Sequence, residues 1–179
     1  MTPRRAVHAL LLSGLASVPA TAAGQDFPPT AEAAGRRLLL NGVEARRYLG
    51  FEVYRAALYL ERCSGDVAAV LASLEVKVIR VRYARDIGLD AVAAAWNEAS
   101  AAACGGCQVP ELRRRWLQPI AAGDEDSYLF LPDAAELSAK GAAPARVPGA
   151  AASSALLATW TGARPSTAAL KRGLLGGGS

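Results

Sequence analysis

Three cysteines and a single histidine are the reactive side chains that this sequence offers beyond ordinary acids, bases and hydroxyls. Cys104-Gly105-Gly106-Cys107 is the sharpest local pattern, two thiols in near neighbourhood with glycines between them that permit a tight loop. A thioredoxin-like redox pair would follow a strand in a β-α-β unit, whereas the flanking sequence on both sides of this motif reads as helix. A zinc centre needs four ligands, and only the three cysteines are on offer once His8 is lost with the leader described below. The spacing therefore predicts a structural disulfide between Cys104 and Cys107 in an oxidising compartment, with Cys63 as the odd thiol and a pairing through Cys63 left open. Arg85-Asp86 stands where a strand gives way to a helix, a place where such a pair either fixes the junction or lines a cleft.

The elements that must position these groups begin with one that is expected to be removed. Arg4-Arg5, the apolar run Ala9 to Ala16 and the small residues around Val18-Pro19-Ala20-Thr21-Ala22-Ala23 form a basic region, a hydrophobic region and a cleavage site, so residues 1–23 read as a signal peptide. That run is shorter than the roughly 20 apolar residues that a membrane-spanning helix needs, and no later stretch reaches that length without charges. The predicted location is periplasmic or secreted, without a membrane span after cleavage. Losing Arg4 and Arg5 from 20 basic residues, against 16 acidic ones, takes the formal charge from +4 to about +2, too balanced for a nucleic-acid partner. Losing His8 removes the only histidine, which excludes Ser-His-Asp triads, Cys-His pairs and imidazole metal sites.

With 179 residues, 52% of them hydrophobic, the chain is expected to build one domain. Residues 24–36 read as a flexible lead-in and residues 37–175 as the domain. Leu38-Leu39-Leu40 predicts a short strand and Asn41-Gly42 a tight turn; a longer strand follows from Phe51 to Leu60. Val67 to Ser73 predicts a helical turn or two. Glu75 to Arg85 alternates as a strand, with Lys77, Ile79, Val81 and Tyr83 on one face. Leu89, Val92, Trp96, Ala99 and Ala103 make one stripe of a helix over 88–103, and a second helix follows Pro110 with Leu112, Trp116, Leu117 and Ile120 inward. Strands over 127–131 and 135–139 flank the turn Pro132-Asp133, and Ala145-Arg146-Val147 continues the pattern. Two closing helices are expected, one after Pro148-Gly149 carrying Leu156, Leu157 and Trp160, the other from Ser166 as N-cap to Gly173. Strands at both ends with helices between and after them predict an α+β fold, an antiparallel sheet packed against a layer of helices.

Leu40-Asn41-Gly42-Val43-Glu44-Ala45-Arg46-Arg47 with Phe51 to Leu60, then Arg85-Asp86-Ile87, then Val147-Pro148-Gly149 through Trp160 and Ala169 to Gly176, together resemble the chalcone isomerase-like family, in its bacterial secreted branch. The resemblance implies an open-faced β-sandwich with a ligand cleft between sheet and helices. Plant members cyclise chalcones and steady the anion with an arginine; Arg46 stands at that position here, set against its plainer reading as a solvated strand-end arginine beside Arg47. Tyr54 falls where the plant strand carries a threonine, so Arg46 and Tyr54 are the catalytic candidates, and Arg46, Tyr54, Arg85 and Asn97 the ligand-binding ones. The plant helix carries a tyrosine, a lysine and an asparagine where this chain reads Leu89 to Asn97 with Ala91 and Ala94 on the corresponding surface. Other branches bind fatty acids without catalysis. The implied function is thus binding of a small hydrophobic acid, with an isomerase acting on an enone or phenolic substrate as the alternative from another class, and a purely structural partner-binding domain as a third. No cofactor and no metal is called for.

Overall fold

The computed structural model describes residues 27–104, 118–140 and 142–176, with side chains left aside for residues 99–104. Seven strands follow one another in space as they do in sequence, each antiparallel to the next: β1 (Thr30–Ala33), β2 (Arg36–Tyr48), β3 (Phe51–Leu60), β4 (Lys77–Tyr83), β5 (Glu125–Leu131), β6 (Ala134–Ala139) and β7 (Ala145–Pro148). The expected α+β architecture is therefore the observed one. The first two turns are two-residue loops, Ala34-Gly35 and Leu49-Gly50, in which both residues have positive φ. That is the backbone of a type I′ turn, whose twist matches that of the flanking strands.

Three expectations are corrected. Asn41-Gly42 does not turn the chain: it lies within β2, at an irregularity of register between Leu40 and Gly42. An Asn-Gly pair suits a bulge as well as a turn, and the Asn41 side chain is committed elsewhere, its Nδ2 donating to the carbonyls of Ser64 (3.1 Å) and Leu174 (2.8 Å) while its Oδ1 accepts from the Ser64 amide (2.7 Å). Nor is the segment 24–36 a flexible lead-in in its latter part, because β1 pairs with β2 and Phe27 is buried. The last helix is capped by Thr167, whose side chain accepts from the Leu170 amide at 3.1 Å, one residue past the expected Ser166.

The bulge at Asn41 has a consequence for side-chain direction. Leu38 and Leu40 face the smaller core, with Phe27, Ala31, Ala57, Tyr59 and Val78. One extra residue re-phases the strand, so that Gly42, Glu44 and Arg46 align with Leu58, Ala56 and Tyr54, on the opposite face. That face packs against four helices: α1 (Val67–Ala72), α2 (Leu89–Cys104), α3 (Ala150–Thr161) and α4 (Ala168–Leu174). Helix α1 starts at Asp66, which caps the Ala68 and Ala69 amides. Helix α3 turns Ser153, Leu156, Leu157, Trp160 and Thr161 inward, the spacing of one helical face. It joins Leu58, Leu60, Ile79, Tyr128, Phe130, Leu137 and Val147 in the main core, where each fully buried large side chain contributes about 1.5–3 kcal/mol. Trp96 and Trp160 pack there as expected. The helix expected after Pro110, with Trp116, lies outside the described residues except for its expected last inward residue: Ile120 is not helical but exchanges backbone hydrogen bonds with Ile87 in an isolated bridge. Among the described residues no helix is long and apolar enough to cross a membrane.

Candidate functional site

Three adjacent strands carry one line of polar side chains on the helix-facing surface. Arg46 on β2 pairs with Tyr54 on β3, and Tyr54 pairs with Tyr83 on β4. The rings of Tyr54 and Tyr83 meet edge to face, with centroids 5.9 Å apart. One row further in, Asp126 pairs with Val81 and so comes diagonally within reach of Tyr83, whose hydroxyl donates to its Oδ2 at 2.9 Å. Tyr128 donates to the same oxygen at 3.3 Å. The end of α3 and the connection to α4 lie over this group. Trp160 packs at a tilt of 56° on Tyr128 with a centroid distance of 4.7 Å, and the Ser166 side chain and Trp160 indole lie near enough to the Tyr54 hydroxyl to favour its ionised form. The connection itself is pinned by the Lys171 ammonium, which donates to the Gly162 carbonyl at 2.8 Å.

The charges follow from this packing. Burial pushes the Tyr54 phenol above its ordinary 10.0, against the opposing pull of Ser166, the Arg46 guanidinium and the Trp160 indole. Tyr83 and Tyr128 are raised further, Tyr83 by burial and by the Asp126 carboxylate beside it, Tyr128 by burial and by its neighbours Tyr83 and Asp126. All three phenols therefore hold their protons at neutral pH. Arg46 is half-buried, and its guanidinium donates to the Arg47 backbone carbonyl. Among the described residues no carboxylate pairs with it, although Arg47, Arg55, Arg62, Arg82 and Arg146 each have an acidic partner. A cation in register with a buried phenol and, among the described residues, without a counter-ion is an arrangement suited to hold an anion. Proton abstraction has less to work with, since the phenols are protonated and Asp126 already accepts from two of them.

Of the residues singled out from the sequence, Arg46 and Tyr54 are brought together. Arg85 and Asn97 are not part of this group. Arg85 is exposed, its guanidinium 5.4 Å from the centre of the Phe51 ring, and the adjoining Asp86 secures the strand-to-helix junction by accepting from the Ala122 amide at 2.8 Å. Asn97 is exposed on α2 because Val92 and Trp96, four residues apart, are the positions that turn inward, and its neighbour in sequence lies about 100° round the helix. Ala91 and Ala94 are likewise exposed. The Cys104–Cys107 pairing lies outside the described residues; Cys63 is exposed, with its thiol 3.8 Å from the Leu40 carbonyl. Tyr83, Asp126, Tyr128, Trp160 and Ser166 were not anticipated as site residues. Alternation along β4 already placed Tyr83 on the face of Ile79 and Val81, but only the strand register shows that it meets Tyr54 and Asp126.

The family model described as chalcone isomerase-like matches residues 19–176. No curated protein sequence matches the chain at a significant level. Among solved structures, the chain is similar to the crystal structure of a fatty-acid binding protein from Arabidopsis thaliana, with a TM-score of 0.64 at 14% sequence identity, over 83% of this chain and 90% of that one.

Proposed function

Because the chain belongs to the chalcone isomerase-like family, we propose that it is a binding protein for a small apolar carboxylic acid of fatty-acid type, held between sheet and helices without chemical conversion. The observation that carries the reading is Arg46: a guanidinium aligned with Tyr54 on the helix-facing surface and paired with no carboxylate among the described residues. A fatty acid supplies the missing counter-ion, accepting two parallel bonds from Arg46 and one from the Tyr54 hydroxyl. The similar Arabidopsis structure is itself described as a fatty-acid binding protein, which supports an acid of this class on this fold. The isomerase reading has less support, because the helix that bears the polar catalytic groups in the plant enzymes offers exposed Ala91 and Ala94 here, and the one carboxylate seen among the three phenols, Asp126, already accepts from two of them. Export by the leader over residues 1–23 would place this binding activity in the periplasm or outside the cell, in a bacterial setting.

Calorimetric titration with a medium-chain fatty acid below its micelle concentration tests the reading. Arg46→Ala should weaken binding by about 1.5–3 kcal/mol, one to two powers of ten in Kd. Arg47→Ala should change little, since Arg47 is largely exposed and already lies 3.7 Å from Glu44 and 3.8 Å from Glu52. Equal effects from both variants, or no binding by the unsubstituted protein, would defeat the proposal.

A further inference from the structure

The turn between β2 and β3 is built against the usual chemistry of turns. Leu49 has φ +49° and Gly50 φ +83°. The first of these positions favours asparagine, aspartate or glycine, whereas a leucine is strained there. Nothing in the fold compensates, for Leu49 is 79% exposed. Tyr48 and Phe51 pair across the same turn and are 62% and 65% exposed. Three large apolar side chains thus stand together at a protruding tip while the interior of the protein gains nothing from them. Cations surround its base. Arg85 lies over the Phe51 ring, Arg46 lies on β2 behind the tip, and neither has an acidic partner among the described residues; Arg47, largely exposed beside them, lies 3.7 Å from Glu44 and 3.8 Å from Glu52, exposed pairs of little strength that leave its guanidinium able to meet another anion.

An exposed hairpin tip of tyrosine, leucine and phenylalanine, with Arg46, Arg47 and Arg85 at its base, has the composition of a segment that enters the boundary between lipid headgroups and acyl chains. Its arginines are complementary to acidic headgroups, and their aromatic neighbours suit the depth just below. We infer that the β2–β3 hairpin tip docks the protein on an anionic lipid surface, with Leu49 and Phe51 entering the bilayer interface and Arg47 and Arg85 meeting the lipid phosphates. The inference rests on the tip and its arginines and does not require the acid-binding reading. It adds to that reading a surface from which an apolar ligand could reach Arg46.

Sedimentation with vesicles of phosphatidylglycerol and phosphatidylcholine tests it, using the protein without added fatty acid. The unsubstituted protein should bind, and more tightly as the phosphatidylglycerol fraction rises. Leu49→Asn should reduce partition by about tenfold or more, while raising the melting temperature because asparagine tolerates the left-handed backbone. Phe51→Ser should reduce partition similarly. Fatty-acid titration of Leu49→Asn in solution should match that of the unsubstituted protein, so that a failure at the tip is separable from a failure at Arg46. Absence of vesicle binding, or equal binding by both variants, overturns the inference. So does a concentration-dependent dimer, formed without vesicles and lost in Leu49→Asn, which would assign the tip to a second copy of the chain.

Discussion

Tyr54, Tyr83 and Tyr128 differ in surroundings although each is a phenol on the same face of the sheet. Tyr54 has Arg46, Ser166 and Trp160 about it, all of which oppose the upward push of burial. Tyr83 and Tyr128 have a carboxylate, which reinforces it. A phenol whose folded-state pKa lies above its unfolded value stabilises the fold fully below that unfolded value, about 10, and the contribution is lost as pH rises through the folded value. Stability measured by urea unfolding should therefore be level with respect to these groups up to roughly pH 9.5 and decline above about 10. Tyrosinate absorbance should grow in step with unfolding there. A full tyrosinate signal while the far-ultraviolet dichroism is still native would show that these phenols are not held neutral by the fold.

Among the elements, β2 and α4 determine where Arg46 points. The bulge at Asn41 re-phases β2, and α4 then lies so near the strand that a Cβ on Gly42 would come 2.0 Å from the Gly173 carbonyl oxygen. A Cβ on Gly173 would in turn be 2.4 Å from that of Glu44. Two glycines are thus what allow backbone to approach backbone, and the Asn41 side chain ties the same place to the Leu174 and Ser64 carbonyls. Gly42→Ala should force α4 off the sheet at a cost of about 1–3 kcal/mol or more. It should also weaken fatty-acid binding, since Ser166 and Thr167 lead directly into that helix. Gly88→Ala is the comparison, because its Cβ would meet nothing within 4 Å and its φ is not positive. Thermal melts of the two variants decide the matter: similar melting temperatures would mean that the close approach of α4 is not a constraint.

At the scale of the whole molecule, the N-terminal boundary matters to the smaller core. Phe27 is buried in the smaller core, and the Tyr59 hydroxyl donates to the Pro28 carbonyl at 2.9 Å. The proposed cleavage near Ala23 leaves both residues in the mature chain. N-terminal sequencing after expression in a bacterium with a periplasm should begin within a residue or two of Ala23, and a product still beginning at Met1 would remove the export proposal. A shorter chain beginning at Arg36, by contrast, loses β1 and uncovers Leu38 and Tyr59. Its melting temperature should fall markedly below that of the mature chain; an unchanged value would mean that the smaller core contributes little.

Much of this organisation is local and could be read along the chain. Alternation set the faces of β4, the spacing of Val92 and Trp96 set the inward side of α2, although Leu89 of the same expected stripe is exposed, and Pro132-Asp133 marked the turn between β5 and β6. Such patterns depend on backbone geometry within a few residues, so neighbouring side chains suffice to reveal them. The site is different in kind. Arg46 and Tyr54 were legible as a pair through the family resemblance, but Tyr83, Asp126, Tyr128, Trp160 and Ser166 join them across sequence separations that no local pattern spans. Whether Asn41-Gly42 turns the chain or bulges a strand was equally beyond local reading, since both conformations suit those two residues. Partners from Ser64 and Leu174 settled it, and with it the face on which Arg46 stands: a single unpaired residue reverses every side chain that follows it along a strand.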